Sequence, residues 1–517
     1  MNAVSIFNDV IGPVMRGPSS SHTAGAYHIG SLARSLLGGD FEQARFFFDP
    51  EGSYGRVYSQ QGADLAFAAG LLGWPITDGR FHQSMEAAGS AGKQIEFAVE
   101  HIPDADHPNT VEIDLLSANG RRLRLSAKST GGGAIEITRL NDWPVQITGR
   151  FHETALELES GSAGEARKLL AADGELSGEA SEITHDGKVF LSGKRLSPLP
   201  SEARTRLEAL PGMLEIWAGE PIFFVERGKQ LWSSAGEMVA LAGNRGATLG
   251  RLALEYESVL LGLGEDEILK EMGHRFDVMK SSIERGLEED PPGPQLLTPC
   301  AGLIYESEQK GALATGGFHA RAAARALAVM HVNAGMGVVC AAPTAGSAGI
   351  LPAVVHTMAE EKELDPDAVS FSMLAAGAIG VIFAQRATFA AEIAGCQMEI
   401  GAAGAMAAAA VVDAAAGSAE QAADAAAISL QNSMGSVCDL VQGMVEIPCH
   451  TRNAAAASAA FICADLILGG YSNPIGLDET VDTAYRVGKS LPVELRCTAL
   501  GGLAATPSAL SLRRRPI

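Results

Sequence analysis

Cys396, Cys438 and Cys449 follow the pattern Cys-x41-Cys-x10-Cys, in the stretches "EIAGCQMEIG" and "MGSVCDLVQGMVEIPCHTRN". Neither stretch is apolar enough to be plain core nor polar enough to be plain loop. A closed zinc site normally takes four ligands, often as short Cys-x-x-Cys pairs, and no such pair occurs in the chain. Iron–sulfur clusters also take thiolates, usually four. A cubane held by only three would leave one iron open, a Lewis acid able to bind a hydroxyl and make it a better leaving group. The competing reading is three unrelated core cysteines, each behaving as a small hydrophobe. Cys300, Cys340, Cys463 and Cys497 carry no such pattern and read as ordinary thiols.

Other polar side chains fall in turns that glycine or proline defines. "GPSSSHT" offers Ser20, Ser21, His22 and Thr23, either an anion site at a helix N-terminus or a plain capping run. "DHPNT" puts His107 and Asn109 beside a proline that fixes the turn; a lone histidine there is otherwise structural or solvent-exposed. "STGGG" supplies Ser129 or Thr130 with Gly131, Gly132 and Gly133, a backbone able to approach a carboxylate closely, or only a loop. "PTAGSAG" leads into a helix with Thr344 and Ser347, and "HTRN" sets Arg452 and Asn453 just after Cys449. These last two either support the cysteines or cap a helix.

A chain of 517 residues must spread such pieces over two or three domains. With 47% hydrophobic and 19% charged residues it can bury a large interior. A net charge of −22 argues against nucleic acid or an anionic membrane as partner. The N-terminal "MNAVSIFNDVIGPVMRG" lacks a basic region followed by an apolar one, so no secretory signal is expected. The most apolar run, "MLAAGAIGVIFA", is shorter than the roughly 20 residues of a spanning helix and reads as a buried one. A cytoplasmic protein is expected, in a reducing compartment where clustered thiols favour metal or catalysis over disulfides.

The chain changes character twice, and an α+β fold class follows. Residues 1–155 mix alternating β-rich runs such as "TVEIDLLS" and "RRLRLSAKS" with helix-like stretches at 22–37 and 61–73, a mixed α/β substrate-binding-type domain. Residues 156–218 are polar and weakly periodic and read as a connector with modest structure. Residues 219–517 are helical, with apolar residues at i, i+3, i+4 spacing and then alanine-rich runs such as "AMAAAAVVDAAAG". Alanine favours helix and lets helices approach closely, so a tight bundle is expected.

The motifs "GCQMEIGAAGAMAAAA", "CDLVQGMVEIPCHTRN", "CAAPTAGSAGILPAVV", "NAGMG" and "LPVELRCTALGGLAATPSAL" resemble the α part of the iron–sulfur-dependent L-serine dehydratases, over roughly residues 220–510. "GPVMRGPSSSHTAGAYHIG", "DADHPNTVEI" and "STGGGAIEI" resemble the β part of the same family, over about residues 4–155. The resemblance implies that Cys396, Cys438 and Cys449 bind a [4Fe–4S] cluster whose fourth iron is left for substrate. It implies water elimination from L-serine, giving pyruvate and ammonia. His107 is the first choice for proton transfer, with His22 second and Ser129 beside them. Ser20, Ser21, Thr23, Gln61, Asn109, Thr130, the three glycines, Thr344, Ser347, Arg452 and Asn453 would line or support the substrate site. An amino-acid substrate and a homodimer are expected, with no nucleic-acid or membrane partner. In some single-chain members a C-terminal cysteine folds onto the open iron; nothing after Cys497 could do so here.

One motif departs from the family. Where a GHGTD sequence is usual, this chain has Gln61-Gly62-Ala63-Asp64, so an imidazole and a hydroxyl are gone. A pocket that loses polar groups usually loses the ligand groups they satisfied, which opens threonine, cysteine or a larger hydroxy amino acid as alternative substrates. A non-catalytic amino-acid or oxygen sensor is a reading of another class. A pyridoxal-phosphate enzyme would run the same net reaction, but no lysine stands in a recognisable phosphate-cup context.

Overall fold

The computed structural model describes residues 3–289, 291 and 293–515, and the chain divides into two compact units. One comprises Ser21–Arg227; the other joins the chain up to Ser20 to everything from Gly228 onward. The fold class is α+β, as expected.

Within Ser21–Arg227 the main sheet has six strands in the order Gln94–Val99, Gln43–Phe48, Thr110–Leu116, Arg122–Gly131, Ala134–Leu140, Trp143–Ile147. The first pair is parallel and the rest antiparallel. Strict alternation sets which face is covered: Val111, Ile113 and Leu115 are buried, as are Ala44, Phe46 and Phe48 on the neighbouring strand. Helices Gly25–Leu37 and Ala63–Leu72 pack together, the first burying Ile29, Leu32, Ala33 and Leu36. Gly132 and Gly133 turn the chain between Arg122–Gly131 and Ala134–Leu140 at φ 62° and 92°. Two successive positive φ values are what a tight hairpin of this kind demands, and glycine meets them without steric cost.

The stretch 156–218 is not a connector. It supplies most of a four-stranded antiparallel sheet, Met213–Gly219, His152–Glu159, Lys188–Arg195, Ser181–His185, backed by helices Ala163–Ala171 and Ser201–Glu208. It has its own core of Leu156, Leu158, Ala166, Leu169, Leu170, Val189, Leu191 and Leu207. The other face buries Ala155, Phe190 and Trp217, with Phe190 stacked on Trp143 at 5.3 Å. The polar look of the stretch comes from the exposed strand Ser181–His185 and the outer sides of the two helices.

Residues 3–20 also depart from the expected boundary, since they are built into the helical unit. Glu257 accepts hydrogen bonds from Ser5 Oγ (2.5 Å) and the Ile6 and Phe7 amides (2.8 and 2.9 Å). Arg275 donates to the Phe7 carbonyl at 2.7 Å, and strand Val14–Arg16 pairs antiparallel with Val338–Cys340. The rest of the unit is the expected bundle. Its centre is Ile400–Ala414, packed by Pro366–Arg386, Ala419–Ser433 and Cys449–Leu468, with Ala402 through Ala409 buried throughout. Pro366–Arg386 is long and apolar enough to cross a membrane, but 78% of its most apolar window is buried inside the fold, the signature of a core helix.

Candidate active site

In the helical unit the three cysteines converge from three different local structures. Cys396 opens a short turn before helix Ile400–Ala414, behind Gly395 at φ 74°. Cys438 lies between Ala419–Ser433 and Cys449–Leu468, and Cys449 is the first residue of the latter. All three are buried, at 1%, 2% and 6% exposure. The loop carrying Cys438 is fixed by Gln397, whose Oε1 accepts the Gly435 amide at 2.8 Å.

Arg452, one turn after Cys449, ties the group together. Its Nη1 donates to Cys396 Sγ at 3.3 Å and to the Val437 carbonyl at 2.8 Å, and its Nη2 pairs with Asp439 at 2.9 Å. Asn453 joins the same helix to the "PTAGSAG" loop: its amide nitrogen donates to the Gly346 and Cys449 carbonyls (2.8 and 2.9 Å), and its Oδ1 accepts the Gly349 amide at 3.1 Å. Thr344 donates to Glu399, and Thr344 and Ser347 hydroxyls lie 3.1 Å apart. Gly346 packs so closely on Glu399 that a β-carbon there would stand 2.1 Å from its carboxylate.

The electrostatics favour a soft, positively charged guest. A hydrogen bond to Cys438, then burial, push the Cys396 thiol well above its ordinary range, with Arg452 pulling the other way. Burial, then the Cys396 charge, raise Cys449 likewise. Cys438 is lowered by its bond to Cys396, but the bond to Cys497 and burial together carry it well up. Burial raises Glu399 to about 7. Grouped, buried thiols that resist ionising alone are relieved by a guest that takes their sulfurs as ligands. Among the described residues no group of three or more His, Cys, Asp or Glu side chains stands ready-made around a metal ion. A cluster, in which each iron takes its own thiolate, suits three buried sulfurs brought together from three separate segments. The donor set therefore fits an iron–sulfur cluster.

The other unit gathers most of its expected residues around Ser129. His22 Nε2 lies 2.8 Å from Ser53 Oγ, and its ring meets Tyr54 edge-on at 5.2 Å. The Tyr54 hydroxyl donates to the Ser21 carbonyl at 3.2 Å, and Thr23 donates to the Gln61 carbonyl at 2.9 Å. Asn109 and Ser129 are linked by a backbone bond, Ser129 N to Asn109 O at 3.2 Å. Asn109 Oδ1 and Ser129 Oγ are buried with no well-directed partner, the kind of orphaned pair that a bound ligand or water satisfies. His107 is half-buried and accepts the Asn109 amide at Nδ1 (3.1 Å), which puts its ring proton on Nε2. Burial lowers His22 to about 4 and shifts His107 downward, so both imidazoles are neutral near pH 7. Thr130 stands apart, exposed on the opposite face of its strand. Ser20 is buried at the start of the turn Ser20–Ala24.

Several functional groups escaped the sequence reading. His28 bonds the Gly133 carbonyl at 2.7 Å and Tyr54 sits beside Ser129. His28 lies within the "GPVMRGPSSSHTAGAYHIG" run but is outranked there by His22, and Tyr54 stands in no distinctive motif. Glu399 did leave a signal, the single charged residue in the run "CQMEIGAAGAMAAAA", which is expensive to bury without a purpose.

Comparison with known proteins finds alpha-type and beta-type relatives, and the alpha-type match begins inside the Ser21–Arg227 unit. The family described as "Serine dehydratase alpha chain" matches residues 155–504. The probable L-serine dehydratase alpha chain of Bacillus subtilis is 35% identical over 285 residues, covering 55% of this chain and 95% of that protein. The L-serine dehydratase alpha chain of Peptoniphilus asaccharolyticus is 38% identical over 283 residues, covering 54% and 97%. The probable beta chain of Bacillus subtilis is 44% identical over 145 residues, covering 28% of this chain and 64% of its own length. The chain belongs to the L-serine dehydratase family, with alpha-type and beta-type sequence in one polypeptide.

Proposed function

We propose that this chain is a [4Fe–4S]-dependent lyase that eliminates water from L-serine, or a close β-hydroxy amino acid, to release a 2-oxo acid and ammonia. The observation that carries this reading is the buried trio Cys396, Cys438 and Cys449 held together with Arg452. When bound, the cluster would supply an iron Lewis acid that activates the substrate's β-hydroxyl as a leaving group.

This chain's own residues do the rest. Arg452 offsets the negative charge that three thiolates bring into a buried place, and Asp439 and the Val437 carbonyl fix its orientation. Asn453 holds the Thr344–Ser347 loop against the Cys449 helix. In the other unit, neutral His107 and His22 are the proposed proton-transfer groups. His22 is in contact with a serine hydroxyl that can donate or accept, whereas a proton taken by His107 at Nδ1 requires the Asn109 bond to open. Asn109 and Ser129 offer their unpaired oxygens to the substrate's amino and carboxyl groups. Loss of the α-proton and the hydroxyl leaves an enamine, which tautomerises and hydrolyses to the 2-oxo acid and ammonia. From serine the product is pyruvate, so the reaction would serve amino-acid degradation and gluconeogenesis. The reading further makes the protein oxygen-sensitive, cytoplasmic and homodimeric.

The test is an anaerobic panel of L-serine, L-threonine, L-cysteine and larger β-hydroxy amino acids, reading ammonia and 2-oxo acid together. Equal amounts of both from a β-hydroxy amino acid are expected. Cluster-loaded protein that binds an amino acid but releases no ammonia from any of them would replace the enzyme with a sensor.

A further inference from the structure

Glu399 is a carboxylate whose bonds do not account for its charge. It lies three residues after Cys396, and its amide donates to the Cys396 carbonyl at 3.1 Å. On the other side its Oε1 accepts from the Thr344 hydroxyl, and Gly346 packs against it too closely to carry a β-carbon. The Gly346 carbonyl is held by Asn453, which also holds the Cys449 carbonyl. Glu399 is thus pinned between the segment carrying Cys396 and the helix carrying Cys449. It stands at the N-cap of Ile400–Ala414 yet makes no capping bond. Among the described residues no donor reaches its other oxygen. Arg452, the cation whose field reaches it, is committed to Cys396, Val437 and Asp439. Glu392 adds a second negative charge nearby. A glutamine would hold Thr344 as well without the cost of a charge in so crowded a place. The side chain is nonetheless only half-buried, so a small solute can reach it.

We propose that Glu399 binds the substrate's α-ammonium, and thereby selects amino acids over hydroxy acids. This rests on the lyase reading above. A β-hydroxy amino acid presents a hydroxyl, a carboxylate and an ammonium, and only the last calls for an anion. Docked on the free oxygen of Glu399, the ammonium gives the carboxylate the counter-ion it lacks, while the Thr344 bond on Oε1 fixes which oxygen is left free. A hydroxy acid of the same size brings no counter-ion, so the charge stays unpaired and binding suffers. Selection by charge needs no change in the shape of the site.

The test sets the best β-hydroxy amino acid against 3-hydroxypropanoate, which keeps the carboxylate and the hydroxyl of serine but lacks its ammonium. Both are measured on anaerobically prepared wild type and Glu399→Gln of equal iron content, the first as KM and the second as a competitive inhibition constant. Glu399→Gln is expected to raise KM by at least about thirtyfold, the lower end of what losing one partner of a buried, hydrogen-bonded charge pair costs. Inhibition by 3-hydroxypropanoate should stay the same or tighten, because no charge is then left unpaired. An unchanged KM would overturn the proposal. So would equal weakening of both constants, the mark of a residue that only shapes the Thr344 loop. Wild type supplies an arm that survives a variant without its cluster: 3-hydroxypropanoate should bind at least about thirtyfold more weakly than the amino acid, and equal binding would overturn the proposal. Wild type that releases no ammonia from any β-hydroxy amino acid would instead overturn the lyase reading.

Discussion

Replacing Cys396, Cys438 or Cys449 with serine is expected to bleach the anaerobically purified protein and abolish turnover, while Cys463→Ser leaves both unchanged. The contrast follows from position. The first three are buried at 1%, 2% and 6% exposure around Arg452. Cys463 is as buried, at 3%, but its thiol is pushed up chiefly by burial and its partners are Asn432 and Ser429. A serine hydroxyl is a hard and poorly ionised ligand beside a thiolate. Removing one thiol also leaves Arg452 an excess of positive charge in a buried place. Visible absorbance, iron content and ammonia release are the readouts. A Cys449→Ser protein with full colour and full activity would remove that residue from the ligand set.

His107→Ala is expected to lose roughly 100- to 10,000-fold in kcat/KM, the usual share of general acid–base catalysis, with iron content unchanged. Its ring lies in the same turn as Asn109, which shares a backbone bond with Ser129, and it is neutral at working pH because burial lowers it. The companion change is Gln61→His, which returns the imidazole usual at that position in the family. Gln61 is half-buried, and its backbone carbonyl, not its side chain, holds Thr23, so the swap should be tolerated. Ala63 is fully buried, and a threonine there would overpack the helix start, so it is left alone. Gln61→His should raise kcat/KM for L-serine relative to the best other substrate by roughly tenfold, the scale of one added polar contact. Wild type that already prefers L-serine strongly, with the variant only weaker, would show that the Gln61 stretch does not set specificity.

The parts of the proposed site that rest on ligand chemistry were legible in sequence, because a metal cluster would constrain residue type and spacing directly. Cys396, Cys438 and Cys449 stood out by type and spacing, whereas Arg452, Asn453 and Thr344 come from the resemblance to the family. Glu399, Asp439 and Cys497 join them through contacts made by loops, with partners 55 and 64 residues away for Glu399 and Asp439, and spacing carries no trace of that. The hairpin of residues 181–195 shows a different failure. "THDGKV" holds an Asp-Gly turn, seen here at φ 47° and 77°, between two short strands, a strong local hairpin signal. The exposed, polar strand Ser181–His185 obscured it. The docking of residues 3–20 into the helical unit had no local signal, since Val14–Arg16 finds its partner strand more than three hundred residues on.

The most direct test of the account is chemical analysis of the wild type purified without oxygen. About four irons and four acid-labile sulfides per chain are expected, the content of one cuboidal cluster. They should leave together, with the activity, on chelation after oxidation. A colourless, iron-free protein that still releases ammonia from L-serine at full rate would contradict it.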